Sequence, residues 1–136
     1  EKGHTIGNHA FDHPDMANLS QESAKKQIRQ TNDILESLTD QKPKWFAPPS
    51  GSFNHETVKI AAAENMETIL WTVDTIDWKK PSTTVMNQRV KEKLHPGATI
   101  LMHPTPVVKK GLDEMIRNVK KQHLSIVTID TLLQEE

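Results

Sequence analysis

The chain of 136 residues is long enough for one domain, and 35% of its residues are hydrophobic, which supplies a modest core. Its formal net charge of −1 gives no electrostatic reason to expect binding to nucleic acid or to an anionic membrane. The lack of cysteine excludes disulfides, catalytic thiols and zinc sites with sulfur ligands, and no apolar run approaches the roughly 20 residues of a membrane span.

The N-terminal end of the sequence is unusual. The chain begins with Glu1-Lys2-Gly3 rather than methionine, and a candidate site follows within the first 13 residues. We therefore expect the sequence to be a piece of a longer protein. The lack of a signal peptide is then no evidence for a cytoplasmic location.

Four helices and four strands are predicted in alternation. Apolar residues at helical spacing predict the helices, and a candidate capping residue precedes three of the four. These are a helix from Ser20 to about Leu38, one capped by Asn54, one from Ser82 to about Leu94, and one over residues 109–122. Short apolar runs predict strands at Trp45–Phe46, Glu67–Val73, Ala98–His103 and Ser125–Ile129. This alternation is typical of an α/β fold with a mostly parallel sheet or barrel.

Polar or conformationally special residues follow three of these strands. Such folds deliver functional residues at the C-terminal ends of their strands. The residues in question are Pro49 and Ser50 after the first strand, Asp74 and Asp77 after the second, and His103 at the end of the third. A complete barrel of eight strands takes about 200 residues or more, so the chain is short for one.

Residues 7–14, with the sequence GNHAFDHP, place two histidines four positions apart. Histidines at this spacing lie on one face of a helical turn, so His9 and His13 can converge on one metal ion. The alternative is a turn that carries two polar surface histidines. No glutamate follows His9, so the pattern is not that of the metalloproteases in which glutamate acts as base.

Three other stretches have both a structural and a functional interpretation. The aspartates Asp74 and Asp77 either form caps and turn bonds or orient a histidine. His103 is either structural or a general acid, because a histidine changes protonation near neutral pH. Residues 46–51 form a rigid turn whose backbone N–H groups can meet an oxyanion.

Taken in order, the motifs GNHxxxHP, PPxG, DxxDW and LxH resemble those of the polysaccharide deacetylase family, the NodB-homology domain of carbohydrate esterase family 4. The resemblance extends from His4 to the end of the chain. It implies a distorted, incomplete (β/α) barrel that here lacks its first strand or strands, and a single partial domain over residues 1–136. Members of the family remove N-acetyl and sometimes O-acetyl groups from chitin-like polymers, peptidoglycan or xylan, using a divalent metal that is commonly zinc.

The resemblance also implies roles for individual residues. His9 and His13 match the metal-binding histidines, His103 matches the general acid, and Asp77 matches the aspartate that tunes this acid. The residues implied to bind substrate are Pro49, Ser50, Trp78 and Leu101. Among these, Ser50 supplies a backbone N–H to the oxyanion, and Leu101 lines the pocket for the acetyl methyl group.

Departures in two motifs of the family pattern bear on activity. The family's Asp-Asp motif, which supplies the general base and the third metal ligand, is expected upstream of Glu1. Ala47 occupies the position of the arginine that holds this base, and Ser50 replaces the usual aromatic residue. Alanine cannot imitate the bidentate contact of a guanidinium with a carboxylate.

Three hypotheses follow for function. In the first, the parent protein is a metal-dependent deacetylase of a cell-wall or chitin-like polysaccharide, and this chain alone is inactive. In the second, the parent is a degenerate relative that acts as a glycan-binding or structural module. In the third, the chain is an unrelated α/β domain. The resemblance further implies an extracytoplasmic or cell-envelope location, and an uncovered sheet edge would favour dimerisation.

Overall fold

The computed structural model of the chain describes residues 2–134, which divide into two compact units, one ending at Leu70 and the other beginning at Trp71. The prediction of a single domain over 1–136 also includes residue 1 and residues 135–136, which lie outside the described residues.

The first unit combines two helices with two short parallel strands. Its elements are α1 (Gln21–Thr39), β1 (Trp45–Phe46), α2 (His55–Ala63) and β2 (Glu67–Thr68). Strand β1 pairs in parallel with β2, and Asn8 forms a further parallel bridge with Phe46. Helix α1 packs against α2, and the core consists of Met16, Ala24, Ile28, Phe46, Ala61 and Met66.

Both helices of this unit begin at the predicted capping residues. The side chain of Ser20 accepts a hydrogen bond from the backbone N–H of Ser23. Asn54 and Thr57 form a reciprocal capping box at the start of α2. These caps satisfy backbone N–H groups that have no partner within the helix, which is why the sequence indicated both starts correctly.

The second unit has the same parallel arrangement. Its elements are β3 (Val73–Asp74), α3 (Thr83–Lys93), β4 (Ile100–Leu101), α4 (Pro106–Lys121) and the short α5 (Ile129–Leu132). Val73 lies opposite Ile100, and Asp74 lies opposite Leu101. Helices α3 and α4 pack closely at Gly111, where a Cβ atom would lie 2.7 Å from Cε of Met86. The core consists of Val73, Met86, Val90, Val108 and Met115.

The predicted strand Glu67–Val73 is wrong as a single element. Its two ends belong to different strands, because β2 pairs with β1 whereas β3 pairs with β4. Residues 69–72 between them are not in a strand, and within residues 67–73 only Val73 is buried. Alternating hydrophobicity does not reveal a change of pairing partner within one run.

The predicted strand Ser125–Ile129 is also wrong. Residues 124–128 have no regular structure, and Ile126 and Val127 are exposed. A β-prone run forms a strand only where a neighbour satisfies its backbone, and residues 2–134 supply none here. The strand predicted at Ala98–His103 is shortened to β4, and α4 begins at Pro106 rather than at residue 109.

The parallel pairing and the helices between strands confirm the predicted α/β class. None of the helices in residues 2–134 is both long enough and apolar enough to cross a membrane.

Candidate functional site

The segment that carries His9 and His13 is a loop, so the predicted helical turn is wrong. Residues 9–13 contain no helix, and Ala10 and His13 both have a φ of 62°, in the left-handed region. The two imidazole rings nevertheless lie close together, with centroids 5.2 Å apart and planes at 73°. The loop therefore brings together the two rings that the sequence predicted to meet, by a different backbone path.

Asn8 fixes the start of this loop. Its side chain is buried, and its Nδ2 donates to the carbonyl of Ile28 over 2.9 Å and to Oδ1 of Asn32 over 2.8 Å. Its Oδ1 accepts from the backbone N–H of Ala10 over 2.8 Å. Asn8 has no predicted role from the sequence. The sequence shows only that a polar residue directly precedes His9. It does not show that the Asn8 side chain is buried against α1.

His9 has the hydrogen-bonding arrangement of a metal ligand. Its Nδ1 lies 2.6 Å from the backbone carbonyl of Ala47, which can only accept, so the hydrogen sits on Nδ1. In the neutral ring Nε2 then carries the lone pair, and a backbone carbonyl on the other nitrogen is the usual support of a metal-binding imidazole. The donor set therefore fits a metal such as zinc.

The histidine pair supplies fewer ligands than a catalytic metal usually takes. Catalytic zinc normally has three protein ligands and a water molecule. Within residues 2–134 no group of three or more histidine, aspartate, glutamate or cysteine side chains is arranged to hold a metal ion. Within the described residues the pair therefore offers two nitrogen donors, one fewer than the protein usually supplies to a catalytic zinc ion.

The turn at Pro49 and Ser50 has an unusual backbone. It forms a short 3₁₀ turn over Pro49–Gly51 in which Pro49 is buried, while Ser50 is exposed with a φ of 54° and a ψ of 14°. A non-glycine residue in the left-handed region needs support from its surroundings. Here the hydroxyl of Ser52 bonds to the carboxylate of Asp15, just beyond the turn. The role of the Ser50 N–H at an oxyanion stays a prediction.

In the second unit, Asp77 and His103 form a directly bonded pair. Nδ1 of His103 donates to Oδ1 of Asp77 over 2.9 Å, and the backbone N–H of His103 donates to Oδ2 over 3.1 Å. The Asp77 side chain is fully buried, whereas 45% of the His103 side chain is exposed. The parallel register of β3 and β4 places the segments after both strands side by side, so the predicted contact forms.

Two threonines that the sequence analysis missed complete the bonding of Asp77. Thr75 donates its hydroxyl to Oδ1 over 3.1 Å, and Thr105 donates its hydroxyl to Oδ2 over 2.9 Å. Each lies two residues from a predicted site residue. Hydrogen bonds between residues two positions apart are common in turns, so this spacing did not distinguish the two threonines as site residues.

The pKa of Asp77 reflects two opposing effects. Burial alone raises the pKa of this carboxyl, because the charged form loses solvation. The hydrogen bonds from His103, Thr105 and Thr75 favour the charged form more strongly and hold the pKa below its usual range. Asp77 is therefore a carboxylate at neutral pH, and it accepts the hydrogen of His103 Nδ1.

The remaining predicted substrate residues also lie in the second unit. Trp78 follows Asp77 in a 3₁₀ turn and is 58% exposed, with Nζ of Lys79 lying 5.0 Å from its ring centroid. Leu101 is half-buried in β4. An exposed indole suits contact with a sugar ring, and a half-buried leucine can line a pocket.

Comparison with known proteins identifies the family. A family model for polysaccharide deacetylase matches residues 1–69, just over half of the 136 residues. The chain therefore belongs to the polysaccharide deacetylase family, as its motifs predicted.

Individual relatives agree with this assignment. The chain is 46% identical to the protein YlxY of Bacillus subtilis, over 98% of the chain and 42% of that protein. It is 33% identical to a peptidoglycan-N-acetylglucosamine deacetylase of Bacillus cereus, over 98% of the chain and 50% of that protein. It thus spans about half the length of these relatives.

A solved structure supports the fold. The crystal structure of BA3943 of Bacillus anthracis, a pseudoenzyme of carbohydrate esterase family 4, covers 96% of this chain at 51% identity with a TM-score of 0.93. The chain covers 46% of that protein, and a mutant of BA3943 has restored enzymatic activity. The likeness confirms the predicted fold class, that of the incomplete (β/α) barrel of the NodB type.

The charge on Asp77 makes stability depend on pH. A carboxyl whose pKa is lowered by folding stabilises the protein fully above the ordinary pKa of about 3.9, and loses this contribution as the pH falls through the lower folded-state value. We therefore expect Asp77→Asn to lower the free energy of unfolding by about 2 kcal/mol at neutral pH. The deficit should shrink in strong acid, measured by denaturant unfolding of the full-length protein as a function of pH.

Asp113→Asn is the matched control, because Asp113 lies exposed on α4. It should change stability by less than about 0.5 kcal/mol at neutral pH. A deficit for Asp77→Asn that stays constant from neutral to strongly acidic pH would contradict the assigned charge.

Proposed function

We propose that the chain is part of a metal-dependent deacetylase that hydrolyses N-acetyl groups of peptidoglycan or a chitin-like polysaccharide. The observation that carries this proposal is the Asp77–His103 pair, a buried carboxylate bonded to a half-exposed imidazole. The similarity to the peptidoglycan-N-acetylglucosamine deacetylase of Bacillus cereus supports peptidoglycan as the substrate. The chain alone is expected to be inactive. The family implies a general base and a third metal ligand, and no residue of either unit is assigned to these roles.

His103 is proposed as the general acid. An amine is a poor leaving group until it is protonated, so hydrolysis of an acetamide needs an acid on the side of the nitrogen. The bond from Nδ1 to Asp77 leaves Nε2 as the ring nitrogen that can transfer the proton. Asp77 fixes the ring orientation and stabilises the charged imidazolium.

His9 and His13 are proposed as metal ligands, with zinc as the metal. The chemistry that zinc supplies in such sites is polarisation of a carbonyl and activation of water. The contribution of this chain is to present Nε2 of His9 in the correct tautomer and to hold the two rings near each other.

The substrate contacts are proposed from the family pattern. The exposed ring of Trp78 would stack on a sugar, Leu101 would contact the acetyl methyl group, and the N–H of Ser50 would donate to the oxyanion beside Pro49. A polysaccharide of the cell envelope as substrate implies an extracytoplasmic site of action. Dimerisation through an exposed edge stays a prediction.

A second candidate function is glycan binding without hydrolysis. Two observations favour it: Ala47 stands where the family has its arginine, and BA3943, at 51% identity, is a pseudoenzyme. The backbone of Ala47 still bonds to both Asn8 and His9, so loss of the arginine leaves the support of the histidine loop intact. Metal binding without efficient catalysis is the expected phenotype of such a relative.

The metal assignment is tested by the zinc content of the full-length protein. We expect His9→Ala and His13→Ala each to reduce bound zinc sharply, because each removes one nitrogen ligand. The matched control is His55→Ala, which removes an exposed histidine of the same unit and should leave zinc content unchanged. Unchanged zinc in the two loop variants would refute the ligand assignment.

The activity assignment is tested by acetate release from N-acetylglucosamine oligomers. We expect slow release by the full-length protein and a rate higher by roughly tenfold or more in Ala47→Arg, because a guanidinium–carboxylate contact contributes about 1.5–3 kcal/mol. Ala62→Arg adds the same charge on the exposed side of α2 and should change nothing.

Acetate release, measured together with glycan binding, decides between the two functions. Retention of glycan with no acetate from either the natural protein or Ala47→Arg would contradict the deacetylase and support the binding module.

A further inference from the structure

The hydroxyl of Thr105 bonds to Asp77 rather than to the helix that Thr105 begins. Thr105 is the N-cap residue of α4, with a φ of −89° and a ψ of 158°, yet its side chain makes no capping hydrogen bond. In the described chain, the N-cap side chains of α1, α2, α3 and α5 all accept from a backbone N–H of their own helix. Thr105 instead donates to Oδ2 of Asp77 over 2.9 Å.

The residue after Thr105 allows α4 to begin without a side-chain capping bond. Pro106 occupies the first position of the helix, has no N–H to satisfy, and has a φ already suited to a helix. The start of α4 therefore depends less on a side-chain cap than an ordinary helix start. The hydroxyl of Thr105 can therefore donate to the carboxylate of Asp77.

The geometry of the carboxylate transmits this bond to the histidine. The two oxygens of Asp77 move together when the carboxylate rotates about its Cβ–Cγ bond. Oδ2 is held by the Thr105 hydroxyl and the His103 backbone N–H, while Oδ1 receives the hydrogen of His103 Nδ1. A bond that fixes Oδ2 therefore fixes where Oδ1 lies, and with it the plane of the imidazole.

We propose that Thr105 is a positioning residue for His103 and acts through Asp77. The inference rests on the proposed role of His103 as general acid, and it adds a residue that none of the family motifs contains. Without the hydroxyl, the carboxylate loses one of the two donors at Oδ2, and the ring that it orients gains freedom to rotate.

The proposal is tested by the Nδ1–H resonance of His103 in proton–nitrogen spectra of the full-length protein. We expect the resonance to be retained in Thr105→Ser, which keeps the hydroxyl, and broadened or lost in Thr105→Val, which keeps the shape of threonine without the donor. Thr105→Ala, which cannot overfill the site, repeats the test if the valine variant does not fold. In acetate release, Thr105→Val should lower kcat by about tenfold with little change in KM, because orientation rather than binding is lost.

The control is Ser82→Ala, which removes a true capping bond from α3, the helix packed against α4. It should lower the melting temperature and leave the His103 resonance unchanged. A full-intensity resonance in Thr105→Val or Thr105→Ala would overturn the proposal, as would its loss in Thr105→Ser. Absence of acetate release in every form would count against the proposed function alone, because the resonance still decides the role of Thr105.

Discussion

The second unit depends on keeping one ionised carboxylate, that of Asp77, out of water. A buried charge without partners is strongly destabilising, and hydrogen bonds to a charged group contribute about 1.5–3 kcal/mol each. Both oxygens of Asp77 accept two hydrogen bonds from the described residues, supplied by Thr75, His103 and Thr105. The donors come from the segments that follow β3 and β4, so the parallel register of these strands is what makes the burial of the charge possible.

In the first unit a buried amide, that of Asn8, links separate segments by hydrogen bonds, as the buried carboxylate of Asp77 does in the second. Asn8 links the histidine loop to α1 through its side chain and to β1 through its backbone. The backbone of Ala47 completes this support by bonding to Asn8 and to the ring of His9. Because that support comes from the main chain, it is insensitive to the side chain at position 47. Alanine in the place of the family's arginine therefore leaves His9 and its loop supported.

The sequence predicted the parts of this protein that depend on local chemistry. Ser20, Asn54 and Ser82 begin helices as expected, because capping needs only nearby groups. The Asp77–His103 contact followed from the rule that strand ends carry functional residues, together with the order of the motifs. The change of strand partner between Glu67 and Val73, and the roles of Asn8 and Thr105, depend on residues distant in the sequence. No spacing pattern reveals such contacts.

His103, held by Asp77, is proposed to be a general acid rather than a structural histidine. The most direct measurement compares kcat for acetate release from N-acetylglucosamine oligomers by the full-length protein and by its His103→Gln variant. General acid catalysis contributes roughly 10²–10⁴-fold, so a loss of at least about a hundredfold with a folded variant is the predicted result. Equal rates from the two proteins would show that His103 is not the general acid.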